Sequence, residues 1–321
     1  MREVYAFFGE VMEILVTGGA GYIGSILIPI LLDHGHKVTV VDNLMFKQVT
    51  LLDHCYNKSL RVIRGDVRDR ALMKELVSKV DGIIPLACLV GAPLCKKEPH
   101  VAREVNTESI KYLYDIKSSN QAMIYPCTNS GYGIGQAGIH CDERAPLNPI
   151  SLYGKLKVEA ESYLLEKGEA ACFRFATIFG LSPRMRLDLL VNDFVYKAFY
   201  DKYIVLFESH FKRNFLHVRD AANAFIHTLE NYSSMKGHTY NVGLSSANLS
   251  KGELCKEIKN FIPEFEIVES EIGKDPDQRN YIVSNEKIES TGYHCSYSLQ
   301  DGIEELIKGF QIIKRDQYAN F

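Results

Sequence analysis

The chain has 321 residues, 46% hydrophobic and 24% charged, with 37 basic and 40 acidic side chains and a formal net charge of −3. That balance offers no broad cationic face for nucleic acid, and no apolar run approaches the ~18–20 residues of a membrane span. A chain of this length buries most of its apolar surface without metals or disulfides, and one domain per ~150 residues gives about two domains.

Residues 1–11 (MREVYAFFGEV) carry acids at Glu3 and Glu10 and lack a small-residue cleavage site, so they read as an extension ahead of Met12 rather than a signal peptide. From there the first half alternates. Strands are predicted at Glu13–Thr17, Lys37–Val41, Leu60–Ile63, Gly82–Ala87 and Ala122–Tyr125. Helices are predicted at Tyr22–His34, Arg68–Val80 and Glu98–Lys117, with a mixed segment at Phe46–Asn57. Apolar strands separated by helices indicate a parallel sheet covered on both faces, a doubly wound α/β fold. After Asn148-Pro149 a helix, Ser151–Lys167, and a strand, Ala171–Phe175, continue the pattern. Beyond a soft boundary near 180, short strands (Ile204–Leu206, Thr239–Val242, Glu266–Val268) mix with helices (Leu189–Tyr200, Val218–Tyr232, Lys251–Phe261, Leu299–Lys314). The expected division is a sheet domain over 12–180, to which later segments return, and a smaller mixed α/β region over 181–321.

The cysteines at 55, 88, 95, 127, 141, 172, 255 and 295 form no C-x-x-C pair, and none has a histidine at zinc-finger spacing. They read as free thiols of a reducing cytoplasm, with no metal site.

Gly18-Gly19-Ala20-Gly21-Tyr22-Ile23-Gly24 follows G-x-x-G-x-x-G between the first strand and the first helix. Gly18 allows the tight turn, Gly21 a close backbone approach to a pyrophosphate, and Gly24 close helix–strand packing. The helix N-terminus then offers N–H groups and a positive dipole end to the phosphates. Asp42, eighteen residues after Gly24, ends the second strand. An acid there accepts ribose hydroxyls and repels a 2′-phosphate, which favours NAD over NADP. Asp66 is placed similarly after the third strand, toward the adenine amino group.

Tyr153 and Lys157 form Y-x-x-x-K on one helical face; Tyr163/Lys167 and Tyr232/Lys236 have the same spacing. Only Tyr153 opens the helix after the fifth strand. A nearby ammonium favours its phenolate, which can remove a proton from a sugar hydroxyl. The loop Pro126–Gly133 lies at the carboxyl end of that strand, where such sheets bind ligands.

Together these elements resemble the extended short-chain dehydrogenase/reductase family acting on nucleotide sugars. The resemblance runs from Met12 to the end of the chain. It rests on the glycine turn, Asp42, Asp66-Val67, Pro85-Leu86-Ala87, Asn106, Thr128…Tyr132-Gly133, Tyr153/Lys157 and Arg213–Asp220, which is similar to R-x-F-x-x-V-x-D. It implies a Rossmann-type fold and Thr128, Tyr153 and Lys157 as the catalytic set. It also implies NAD contacts from Gly18, Gly21, Tyr22, Ile23, Gly24, Asp42, Asn43, Asp66, Val67, Leu86, Ala87, Asn106, Tyr153 and Lys157.

On the substrate side it implies Thr128, Asn129, Ser130, Tyr132, Thr177, Arg184, Arg186, Asn192, Arg213 and Arg279, the arginines suiting a nucleoside diphosphate. Two departures stand out. Asn129 and Ser130 occupy the positions where the family's 4,6-dehydratases carry Asp-Glu, which disfavours dehydration. Thr177 stands where the family often has Asn. The runs at 89–95, 128–135, 182–194 and 243–249 resemble a narrower group, the C4 dehydrogenases of GDP-D-glycero-α-D-manno-heptose. The reaction this implies is NAD-dependent oxidation of a nucleotide-linked sugar at C4, with 4-epimerisation as the alternative that needs the same residues; the intact Thr128, Tyr153 and Lys157 argue against a non-catalytic NAD-binding role. The family's pairing of the helices around Glu98–Lys117 and Ser151–Lys167 implies a homodimer or homotetramer.

Overall fold

The computed structural model describes residues 10–135, 138–270 and 279–314. In chain order the elements are β1 (Glu13–Thr17), α1 (Gly24–Asp33), β2 (Lys37–Asp42), β3 (Leu60–Arg64), α2 (Arg70–Val77), β4 (Gly82–Pro85), α3 (Ala92–Lys97), α4 (Pro99–Arg103), α5 (Ser109–Ile116), β5 (Ala122–Thr128), β6 (His140–Cys141), α6 (Leu152–Lys167), β7 (Ala171–Phe175) and β8 (Thr177–Phe179). Then come α7 (Leu190–Tyr200), β9 (Tyr203–Phe207), β10 (Lys212–His217), α8 (Val218–Glu230), α9 (Tyr232–Met235), β11 (Thr239–Val242), β12 (Asn248–Ser250), α10 (Lys251–Phe261), β13 (Glu266–Ser270), β14 (Ile282–Val283), α11 (Glu286–Glu289) and α12 (Leu299–Phe310).

A seven-stranded sheet has the order β11-β7-β5-β4-β1-β2-β3. β1 runs parallel to β2 and β4, β2 to β3, and β4 to β5. Side chains on both faces of β1, β4, β5 and β7 are buried, so the strands read as apolar runs rather than alternations. Smaller sheets are β12-β10-β8, β13-β9 and β14-β6. The chain forms two compact units. One contains the residues up to 127, with 151–173 and 222–239; the other contains 128–150, 174–221 and the residues from 240 onward.

In the first unit Leu15, Val41, Ile83, Met123 and Tyr125 of the strands pack with Met73 and Leu76 of α2, Leu113 of α5 and Leu164 of α6. Local sequence sets the helix ends. The Asp69 carboxylate accepts the Leu72 N–H at the start of α2, and Ser151 accepts the Gly154 N–H at the start of α6. Gly168 closes α6 in the left-handed conformation. In the second unit, Ser250/Glu253 and Ser298/Asp301 form reciprocal capping boxes at α10 and α12.

Several predicted elements differ: the helix expected over Leu299–Lys314 ends at Phe310, and that expected over Arg68–Val80 spans Arg70–Val77. The helix expected over Glu98–Lys117 is interrupted by a π-turn at Glu104–Glu108 and preceded by α3. Strand β5 continues through Pro126 to Thr128, although the missing Pro N–H reads as a strand end. The strand expected over Gly82–Ala87 ends at Pro85.

The apolar residues Val105, Leu113, Leu156 and Leu164 are buried within the chain itself. Around α4, the π-turn, α5 and α6, Glu159 pairs with Arg103 (3.0 Å) and Lys111 (2.9 Å), while Val101, Tyr112 and Leu152 are half-buried.

Candidate active site and cofactor cradle

The glycine turn lies between β1 and α1 as its motif requires. Gly18 has φ +69°, and a Cβ there would sit 2.5 Å from the Ala87 N and 2.9 Å from the Leu86 C. A Cβ on Gly24 would sit 2.5 Å from the Gly19 O. These approaches keep the loop backbone bare. At the N-cap of α1, Ile23 supplies no side-chain cap, leaving the amide end and its dipole to serve an anion. On the opposite wall the Thr17 O accepts the Leu86 N–H (2.9 Å) and the Thr17 Oγ1 accepts the Ala87 N–H (3.3 Å).

Asp42 is buried, and that burial pushes its carboxyl up. Its Oδ2 accepts the Ala20 N–H (3.0 Å) and its Oδ1 the Leu44 N–H (2.8 Å). Asp66 is held below the usual carboxylate range by Arg68, whose guanidinium forks onto it at 2.9 and 3.0 Å; the Asn43 side chain hydrogen-bonds it as well. Arg68 was not anticipated; only its position two residues after Asp66 hints at the pairing.

Asn106 sits in the π-turn, fully buried, and reaches the loop after β4. Its Oδ1 accepts the Leu89 N–H (2.8 Å) and its Nδ2 donates to the Leu89 O (2.9 Å). It therefore acts on the loop backbone beside Leu86 and Ala87. A bare glycine turn, an uncapped helix start and a buried acid at the end of β2 have the chemistry that a dinucleotide requires.

In the same unit Tyr153 and Lys157 are one turn apart on α6. Tyr153 is half-buried against the cluster of Val67, Leu89, Val105 and Leu156. Lys157 is 4% exposed, its Nζ lies 4.2 Å from the centre of the Tyr125 ring, and no carboxylate among the described residues pairs with it. The Tyr125 hydroxyl donates to the Lys157 O (3.3 Å), fixing this turn. The other two matches of the spacing have structural duties. The Tyr163 hydroxyl donates to Asp115 at 2.5 Å, which pushes the phenol up to about 12. The Tyr232 hydroxyl accepts the Met123 N–H (2.9 Å) and donates to the Glu169 O.

In the second unit Thr128 caps a short 3-10 turn, Asn129–Tyr132. Its Oγ1 accepts the Ser130 N–H (3.1 Å) and donates to the Ser130 Oγ (3.0 Å), and the Arg279 guanidinium also donates to that Oγ. Asn129 is buried with neither carboxamide atom hydrogen-bonded. A buried amide of this kind is costly to leave unpaired, which is consistent with a ligand-facing role.

Tyr132, for which packing beside a sugar and packing in the core are equally compatible with the sequence, is buried. Its hydroxyl donates to Asn241 Oδ1 (2.7 Å) and accepts from Arg174 (3.0 Å), and burial pushes the phenol up. Arg174 carries one signal in the sequence, a cation in the otherwise apolar strand ACFRF. Asn192 is likewise spent on backbone, accepting the Gly180 N–H (3.0 Å) and donating to the Arg186 O (2.9 Å). It thereby shapes the loop bearing Arg184 and Arg186.

Arg184 is buried, and burial, together with the charge of Arg186, lowers its pKa. Arg186 is paired with Asp188, the shorter contact being 2.5 Å. Arg213 is buried, donates to the Lys212 O (2.8 Å) and lies 5.7 Å from the Tyr281 ring centre. Thr177 opens β8 opposite Phe215.

The family model of the NAD dependent epimerase/dehydratase family matches residues 14–243. The chain belongs to this family. Its members are NAD-dependent enzymes. The low-salt glycan biosynthesis protein Agl12 of Haloferax volcanii is 26% identical over 312 residues, covering 92% of this chain and 97% of that one. The UDP-glucose 4-epimerase of Corynebacterium glutamicum is 26% identical over 302 residues, covering 86% and 88%. The fold matches that of Thermus thermophilus UDP-glucose 4-epimerase, solved with NAD, at a TM-score of 0.80 and 22% identity, covering 94% and 99%. Among the described residues no helix is long and apolar enough to cross a membrane, and no group of three His, Cys, Asp or Glu is placed for a metal ion.

Proposed function

We propose that this family member oxidises a nucleotide-linked sugar at C4 to the 4-keto sugar, with GDP-D-glycero-α-D-manno-heptose as its substrate. The observation that carries this reading is Tyr153 one turn before Lys157, a buried ammonium with no carboxylate partner among the described residues. Tyr153 takes the proton from the C4 hydroxyl, and Thr128 hydrogen-bonds the same oxygen. Lys157 favours the phenolate and holds the cofactor ribose. When bound, NAD supplies the hydride acceptor.

Asn129 and Ser130 offer an amide and a hydroxyl where elimination of water would need an acid and a base, so the reaction stops short of dehydration. Asn129, Ser130, Thr177, Arg184, Arg186, Arg213 and Arg279 are assigned to the nucleotide sugar. The runs shared with the heptose dehydrogenases support the GDP-heptose. The Corynebacterium relative's name favours a second reading, 4-epimerisation, in which the hydride returns to the opposite face. NMR of nucleotide sugars incubated with the enzyme and NAD separates them. Stoichiometric NADH with a 4-keto product supports oxidation; an epimer without net NADH replaces it.

GDP is expected to raise the melting temperature more than UDP at equal concentration, through selective binding to the native state. A larger shift with UDP would transfer the reading to a UDP-sugar. We also assign the enzyme to the cytoplasm, where its eight free thiols stay reduced. It acts there as a homodimer or homotetramer of two-fold symmetry. Light scattering checks the assembly: a fully active 36.3 kDa particle rules it out.

A further inference from the structure

The segment after β2 holds two side-chain-bearing residues in the left-handed region, Leu44 (φ 54°) and Lys47 (φ 54°). Such backbone is disfavoured and persists where surrounding contacts over-determine it. The two kinks bring Gln48 back to the end of β2. Its Oε1 accepts the Phe46 N–H (3.1 Å) and its Nε2 donates to Asp42 Oδ1 (3.2 Å). Thr50 fastens the segment to the glycine turn by donating to the Ala20 O (3.0 Å). The amide is thereby a donor of fixed orientation, because turning it would set its oxygen against the carboxylate and abandon the Phe46 N–H.

A carboxylate presents about four lone-pair positions. Leu44 and Gln48 fill both on Asp42 Oδ1, and Ala20 takes one on Oδ2. One acceptor on Oδ2 remains. We propose that Gln48 is a positioning residue for cofactor recognition, fixing the Asp42 carboxylate so that one Oδ2 acceptor faces a hydroxyl of the adenosine cis-diol. This rests on the assignment of Asp42 to NAD and adds to it a residue outside the motif.

Burial pushes the Asp42 carboxyl up, and the Leu44 and Ala20 N–H groups oppose this. The charged neighbours along the adjoining segments are Arg64, its exposed register partner on β3, the Arg68-bound Asp66, and the exposed Lys47 and Asp53. Loss of a further donor moves the carboxyl higher, so it becomes neutral, and a poorer acceptor, at a higher pH.

Calorimetric titration of the full chain with NAD across the acid-to-neutral range tests this. Gln48→Leu is expected to weaken NAD binding roughly tenfold at neutral pH, the worth of one hydrogen bond to a charged group. It also moves the acid-side fall in affinity to higher pH. In an Asp42→Asn background the profile is flat and Gln48→Leu adds nothing. Gln48→Ser serves the same test if the leucine variant does not fold. Unchanged affinity and profile, an equal loss in the Asp42→Asn background, or unfolding of both Gln48 variants overturns the proposal. A wild-type protein that binds no NAD overturns the Asp42 assignment as well, whereas silent Gln48 variants in a protein that binds NAD overturn this proposal alone.

Discussion

Tyr153→Phe is expected to lower kcat by roughly 10²–10⁴-fold, the usual reach of a positioned proton acceptor, while NAD affinity stays nearly unchanged. The phenyl ring keeps its packing against Val67, Leu89 and Leu156, so the fold is retained while the proton path is lost. Tyr163→Phe leaves kcat unchanged, since that hydroxyl serves Asp115. Tyr232→Phe also leaves kcat unchanged but lowers stability, because the Met123 N–H and Glu169 O lose their shared partner. Steady-state kinetics with matched NAD titrations read all three. A fully active Tyr153→Phe would remove the proposed acid–base residue.

Gly18→Ala is expected to be strongly destabilising and to disrupt the glycine turn. The left-handed conformation at φ +69° costs a residue with a Cβ ~1–2 kcal/mol. The new methyl also meets Ala87 N, Ala87 Cα and Leu86 C at 2.5–2.9 Å, all backbone atoms with no side chain to swing away. Overpacking of that kind adds ~1–3 kcal/mol. The sum, ~2–5 kcal/mol, is a large part of a typical native stability of 5–15 kcal/mol. A melting point lower by roughly 3–7 °C follows, together with loss of NAD binding as the turn moves off the pyrophosphate path. Gly35→Ala is the useful comparison. It has a similar φ of +82°, but an added methyl would meet nothing within 4 Å, so its cost is the conformational part alone. Scanning calorimetry of both variants separates strain from collision; equal losses would show that the approach to Ala87 carries no cost.

Both predictions concern residues whose types and spacings announced themselves. The glycine turn, Asp42 and the Tyr153/Lys157 pair are local: each needs a particular backbone freedom or helical spacing written in a few consecutive residues. Six of the seven strands of the large sheet were legible for a related reason, since strands buried on both faces leave continuous apolar runs; the seventh, β11, reads from sequence only as a short strand of the C-terminal region. The substrate side was less legible. Tyr132 and Asn192 occupy motif positions, yet one is claimed by Arg174 and Asn241 and the other by the Gly180 and Arg186 backbone. Those partners lie far along the chain or in loops, and no spacing rule connects them.

By itself, then, the sequence determined the α/β class, the glycine turn between β1 and α1 and the place of Tyr153 and Lys157 on the helix after β5, because periodicity, glycine and helix position act over a few residues. Only the tertiary structure decided which polar side chains serve the core and which are left for a ligand. Asn129 and Tyr132 look equivalent in the loop TNSGYG, but one is buried with its amide unpaired while the other has every hydrogen bond filled. The tertiary structure likewise decided that residues 128–150 belong with those beyond 240 rather than with the flanking sheet segments. Hydrogen-bond satisfaction and compactness depend on groups that become neighbours only when the chain folds.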